Sequence, residues 1–340
     1  MNEDSKSENR MNLLLFLGAG FSVEAGLPTQ KNFFKHARNE YKKGLIDPHQ
    51  YSGITAAQSL VSATSSIYDS EPTMEDAFSM LDYIYYMKND DYKLGYIWDD
   101  VFIPSKDSQL NVVKAREYFL SALEYLFNYN RAECKYINHD LYYYFLDELL
   151  KHYNVYIITT NYDLVCESVL DKMIGRDVII FPSINYDEYF GHYIPVPLLK
   201  LHGSIDWKET QFDVPNIIPP TWSKQFERKG KYNYIWNQAE KAITYNDKIM
   251  FIGYSMPEID IHIKYLITLG LLNSIIKEVT KEIYIVKPNW NEKDNINFKF
   301  LKENIPDRGH NYYNVKFFRH IPKTFKELVE SDFIDILKNQ

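Results

Sequence analysis

Apolar residues fall along this chain in two rhythms. One is the short run bounded by glycine, proline or polar residues: Leu13–Leu17, Val155–Ile158, Val178–Phe181, Leu198–Leu201, Ile249–Ile252, Ile283–Val286 and Val315–Phe318. Runs of this length predict strands buried on both faces, the pattern of a parallel sheet. The other rhythm is helical. Phe33, Phe34, Ala37 and Tyr41 predict a helix within 30–43 that Gly44 ends. Thr73-Met-Glu-Asp76 has capping-box spacing and opens a pattern through Ala77, Phe78, Leu81, Ile84 and Tyr85. Further helices are predicted over 112–129, 138–151, 163–174 (closed by Gly175), 232–246, 258–276 and 323–338. Residues 205–230, rich in proline and aromatics, predict a loop with little regular structure.

Strands separated by helices predict an α/β fold with a doubly wound, mostly parallel, Rossmann-like sheet. Residues 45–150 hold helical patterns and little that reads as a buried strand, so they are expected to form an inserted helical subdomain. Residues 1–10 are polar and read as a flexible tail, with 11–340 as the folded domain. No internal repeat is visible.

Composition narrows the classes. Of 340 residues, 45% are hydrophobic, which supports a full core, and the net charge is −8. No block of Lys or Arg stands out, which argues against direct binding to a nucleic-acid backbone. Two cysteines, Cys134 and Cys166, cannot make a four-cysteine zinc site or a disulfide framework. No secretory pattern precedes Met11, and the run at 13–17 is too short to span a bilayer. The expectation is a reduced, cytoplasmic protein with no membrane association.

In doubly wound sheets, ligands bind beyond the carboxyl ends of the strands. Five predicted strand ends carry glycine or polar groups: Gly18-Ala19-Gly20-Phe21-Ser22, Thr159-Thr160-Asn161-Tyr162-Asp163, His202-Gly203-Ser204, Gly253-Tyr254-Ser255-Met256-Pro257, and Lys287-Pro288-Asn289. A glycine turn leading within a few residues into a helix would let backbone N–H groups approach a phosphate. The spacing excludes two common nucleotide loops. Val23 stands where a dinucleotide fingerprint needs glycine, and no Gly-Lys-Ser/Thr comes after it. Each piece also has a plainer use: Asn161 and Asp163 could cap the next helix, and Gly253-Tyr-Ser could be an ordinary turn.

Taken together, Gly18-Ala-Gly-Phe-Ser with Gly26-Leu-Pro28, Thr160-Asn161-Tyr-Asp163, His202-Gly203 and Gly253-Tyr-Ser255 resemble the NAD-binding motifs of the sirtuin family. The likeness covers about 13–29 and 153–318. It departs from the deacylases in four places. No zinc-ribbon cysteines lie between His202 and Gly253, Thr160 replaces a glutamine, Thr29-Gln30-Lys31 replaces Asp-Phe-Arg, and Lys287 stands where an asparagine is expected. These departures are similar to the zinc-free branch that acts as NAD-consuming effectors in bacterial antiphage defence.

The resemblance implies a sirtuin-type sheet without a zinc ribbon or any metal, and NAD+ as substrate. Asn161, His202 and Asp163 would be catalytic. Gly18, Ala19, Gly20, Phe21, Ser22, Gly26, Pro28, Thr160, Gly253, Ser255 and Lys287 would bind the dinucleotide. It further implies an NAD+ hydrolase serving abortive infection, restrained until a homo-oligomer assembles or a partner such as a HerA-type ATPase engages. The alternatives are an NAD-dependent deacylase or ADP-ribosyltransferase, marked by peptide-dependent NAD+ loss, and a non-catalytic NAD or ADP-ribose sensor, marked by binding without turnover.

Overall fold

The computed structural model describes residues 10–63, 73–89, 111–128, 138–174, 196–208, 215–218, 231–257, 260–302 and 315–338. Six parallel strands form the main sheet: β1 (Asn12–Leu17), β2 (Asn154–Thr159), β3 (Leu198–Lys200), β6 (Lys248–Ile252), β7 (Lys281–Val286) and β8 (Val315–Ile321). Their order is β3-β2-β1-β6-β7-β8. The chain therefore builds outward from β1 in one direction, then crosses back to build in the other. Leu15 of β1 lies level with Ile157 on one side and Met250 on the other.

Both faces of β1 are buried, as its unbroken apolar run requires. Leu13, Leu15 and Leu17 pack with α5 (His139–His152), α6 (Val165–Ile174), α11 (Phe325–Val329) and α12 (Phe333–Lys338). Leu14 and Phe16 face the other layer, formed by α7 (Lys231–Tyr245), α8 (Ile261–Ile276) and the short α9 (Glu292–Asn297) and α10 (Lys299–Lys302). A third core joins α1 (Phe33–Lys42), α2 (Pro48–Ala63), α3 (Met74–Asn89) and α4 (Val112–Leu126) to Tyr162, Ile205 and Ile217. α5, from the same helical stretch of sequence, contributes Tyr142, Phe145, Leu146 and Leu149 to the sheet core instead.

The capping box at Thr73 forms: Asp76 accepts from the Thr73 amide at 2.7 Å, and Thr73 Oγ1 accepts from the Asp76 amide at 3.3 Å. Four expectations differ from the structure. After Gly20 the chain makes a single 3₁₀ turn, Ser22–Ala25, so the loop has no α-helix N-terminus above it. Within 205–230 an antiparallel pair appears, β4 (Gly203–Lys208) with β5 (Pro215–Ile217), its own two-stranded sheet. α2, α9 and α10 are absent from the helical pattern of the sequence. The closing helix is two helices, because Glu330 to Asp332 interrupt it. The strand expected at Val178–Phe181 lies outside the described residues.

Candidate active site

The crossing back from β3 to β6 leaves a switch point between β1 and β6, where neighbouring crossovers run to opposite faces of the sheet. A crevice beyond the strand ends is the geometric result. A cavity of about 350 Å³ occupies it. Of the predicted residues, Ala19, Gly20, Ser22, Pro28, Thr160, Asn161, Asp163, Gly253 and Ser255 line this cavity, so three strand ends distant in sequence meet there. Gly18, Phe21, Gly26, His202 and Lys287 do not.

The glycines serve close packing first. The Gly18 amide donates to Ile252 O and the Gly20 amide to Gly253 O, each at 3.0 Å. A Cβ on Gly18 would lie 2.7 Å from Gly253 O, and one on Gly20 2.7 Å from Gly253 Cα. Gly253 itself holds φ at +64°, a conformation that costs a residue with a side chain. Phe21 and Ser22 amides turn back onto Gly18 O and Ala19 O. Within Gly18–Ser22, the Ala19 amide is the one without a backbone acceptor among the described residues. The dense N–H cradle expected of this turn is thus reduced to one uncommitted backbone amide, on a residue that lines the cavity.

The Ser22 hydroxyl ties the loop to the end of β2. Asn161 Nδ2 donates to Gly18 O at 3.0 Å and to Ser22 Oγ at 3.1 Å. A carbonyl can only accept, so the atom facing Gly18 O must be nitrogen, and Oδ1 is left as the amide's acceptor. Asp163 caps α6 through Val165 N, at 3.0 Å, and the Ser22 hydroxyl lies close enough to favour its charged form. The capping use and the site use therefore coincide in one side chain. Burial pushes the Asp163 carboxyl above its usual range, while the Lys200 charge, the Ser22 hydroxyl and the bond from Val165 oppose the rise.

Lys200 was not visible as a site residue. It is wholly buried in β3, beneath the segment that carries Asn161 and Asp163. Its ammonium donates to Asp163 O (2.5 Å), Glu167 Oε1 (2.7 Å), Ser204 Oγ (2.7 Å) and Tyr162 O (3.4 Å). The signal in sequence would have been a lysine inside an otherwise apolar strand, since a buried cation needs a counter-charge. Glu167 supplies it, and burial still holds that carboxyl above its ordinary value.

His202 is also fully buried, its Nε2 3.6 Å from Asp260 Oδ1. Asp260 in turn accepts a hydrogen bond from Tyr254 Oη at 3.0 Å. The His202 ring centroid lies 6.2 Å from that of Tyr162, which does line the cavity. Phe21 faces away, anchoring the loop against Tyr142 and Phe325. Gly26, in the left-handed region, turns the chain so that Pro28 reaches the cavity. Lys287 directly follows β7 and pairs with Asp294. Further lining comes from Thr29, Gln30 and Lys31, and from Thr73, Met74, Glu75 and Phe127 of the helical layer. Glu75 is a buried carboxylate on that wall.

Residues 155–289 match the SIR2-like domain. The matched segment runs from β2 to β7 and carries Asn161, Asp163, His202, Gly253 and Ser255, while Gly18–Ser22 lies before it. No curated protein matches the chain. Among solved structures, a Sir2 enzyme described for its mechanism and regulation aligns at 12% identity, covering 97% of this chain and 94% of its own, with a TM-score of 0.40. A Sir2 complex with a p53 peptide and NAD+ aligns at 10% identity, with the same coverage of both chains and a TM-score of 0.41. A triple mutant of a Sir2 homologue, solved with 2′-O-acetyl ADP ribose, aligns at 13% identity over 97% and 93% of the two chains, with a TM-score of 0.41. Among the described residues, no group of three His, Cys, Asp or Glu is placed to hold a metal, and no helix is long and apolar enough to cross a membrane.

Proposed function

We propose that this cleft binds NAD+ and that the protein hydrolyses the nicotinamide–ribose bond, giving nicotinamide and ADP-ribose. The observation that carries the reading is the convergence of Ala19-Gly20-Ser22, Thr160-Asn161-Asp163 and Gly253-Ser255 on one switch-point cavity, within and beside a SIR2-like segment. Nicotinamide leaves with the electron pair of the C–N bond, and the ribose carbon becomes oxocarbenium-like. Water adds to that carbon and gives up a proton.

Asn161 is oriented for this step, because its N–H groups are committed to the loop and Oδ1 can accept from a ribose hydroxyl or the attacking water. Asp163 accepts from the carboxamide, and Ser22 with the Ala19 amide meets the diphosphate. His202 is the base, with Asp260 opposite it to stabilise the imidazolium that forms. The wall covering His202 opens when the dinucleotide enters. The departures from the zinc-containing deacylases at Thr29–Lys31, Thr160 and Lys287 support an effector of antiphage defence, held inactive until it assembles or meets a partner such as a HerA-type ATPase. A cell could not carry an unrestrained NAD+ hydrolase.

Product analysis tests this. Purified protein, alone and with a co-expressed neighbouring ATPase, should convert NAD+ to equal amounts of nicotinamide and ADP-ribose. His202→Ala and Asn161→Ala should each cut the rate by about 10²–10⁴. NAD+ loss that depends on an acylated peptide would replace the reading with a deacylase, and tight NAD+ binding with no turnover in any arm would replace it with a sensor.

A further inference from the structure

α8 is a helix without a polar side. Its inner face, with Ile263, Leu266, Ile267 and Leu271, packs in the sheet core. Gly270 lets it press on α7, since a Cβ there would meet Ile243 Cγ2 at 2.5 Å. A helix lying on a sheet ordinarily turns charged residues outward. Here the outward positions are Tyr265, Leu269, Leu272, Ile275 and Ile276, with exposures of 58%, 54%, 41%, 38% and 75%. Between His262 and Ile276 the one charged residue in the sequence is Lys264.

The spacing is as informative as the exposure. Tyr265, Leu269, Leu272 and Ile276 are spaced by steps of four, three and four, the repeat along which one helix seats its side chains into another. Beside this ridge runs a groove of about 450 Å³ between α7 and α8, lined by Trp236, Leu266, Tyr265 and Leu269 and edged by Asn237 and Glu240. An apolar strip next to a groove with a polar edge is the anatomy of a protein interface.

We infer that this face is the seam of a homodimer, in which α8 of one copy lies antiparallel on α8 of a second across a two-fold axis. A ridge beside its own groove is self-complementary under that operation, because each ridge fills the other copy's groove. Taking about 150–200 Å² for a full side chain of these sizes, the five exposed side chains offer about 450 Å² of apolar surface per copy. That is somewhat over half of the roughly 800 Å² per partner of a standard interface. An anionic membrane surface would need a belt of cations around the apolar strip, and Lys264 alone does not provide one. Asp260, which accepts from Tyr254 and stands opposite His202, is the N-cap of the same helix. Pairing therefore braces the helix whose cap lies beside His202, behind the cavity wall.

Sedimentation of the full chain without NAD+ tests the seam independently of the proposed reaction. Wild type at about 50 µM should run at twice 40.3 kDa. Leu269→Glu/Ile276→Glu should run as a monomer with an unchanged circular dichroism spectrum, its dimer dissociation constant raised about 100-fold or more. Tyr83→Glu, at an exposed position on α3, should keep the dimer mass. In a Cys134→Ser background, Leu272→Cys should join two copies through a short bismaleimide and Tyr83→Cys should not, which decides the matter should the charged variant misfold. A monomeric wild type, a charged variant that keeps the dimer mass, cross-linking at Tyr83→Cys alone, or flotation of a monomer with lipid vesicles would each overturn the seam.

Discussion

Replacing Lys200 with methionine is the sharpest test of how the candidate site is held together. The change keeps most of the side-chain volume and removes the ammonium that serves Glu167, Ser204 and the carbonyls of Tyr162 and Asp163. Glu167, whose side chain is 10% exposed, would keep a carboxylate with no counter-charge. Breaking a buried pair from one side costs about 3–5 kcal/mol. With a urea m-value of about 3 kcal/mol/M, the midpoint should fall by about 1–1.7 M. The loss has a pH signature. Burial already holds the Glu167 carboxyl above its unfolded value of 4.5. Without Lys200 the folded state will protonate it at still higher pH. The penalty should therefore be small near pH 5 and grow towards pH 8. Urea titrations followed by tryptophan fluorescence at both pH values would measure it. Lys200→Met/Glu167→Met should recover at least half of the stability, because neither charge is left alone. A single variant within about 1 kcal/mol of wild type at pH 8, or a double variant no better than the single, would refute this account of the network.

Three other outcomes are expected. Gly253→Ala places a Cβ 2.3 Å from Phe21 N in the left-handed region and should lower stability by about 3 kcal/mol, read as a urea midpoint. Lys281 is buried with its ammonium on Thr244 O at 2.7 Å, and burial lowers its pKa to about 7. The unfolded chain keeps that proton up to its ordinary value of 10.5, so wild-type stability should gain on Lys281→Met as pH rises from 7 towards 10; a gap that closes instead would be wrong in sign. Glu75→Gln should cost about 10-fold in kcat/KM for NAD+, the worth of one hydrogen bond to a charged group, with the urea midpoint unchanged.

The parts of the fold legible in sequence are those where one short stretch meets one environment. Leu13–Leu17 is buried on both faces whatever lies beyond it, so its run reads directly as a central strand. β5 is three residues beginning with proline and is paired only through β4, so nothing local marks it. α2 carries Gly53 in mid-helix, which argues against a helix until the α4 backbone appears 2.5 Å from where its Cβ would be. The cleft was legible for the same reason as the strands, since residues after a parallel strand point to the same end of the sheet. Lys200 was not, because its meaning lies in Glu167 and Ser204. Neither was the wall at Thr73–Glu75, whose sequence announces a helix cap and says nothing of what the cap faces. His202 was legible as a strand-end histidine, but not its depth behind the cavity wall.

Between Gly18–Gly20 and Gly253, two turns far apart in the chain share backbone bonds with no side chain to act as a spacer. Neither turn can swing without tearing the other, and close-packed backbone has little compliance. The floor of the cleft is in that sense welded. Ligand exchange must then be a motion of the opposite bank, where Thr29–Lys31 and Thr73–Glu75 border the cavity. Substitutions on that bank would change how quickly the site fills and empties before they change what it holds.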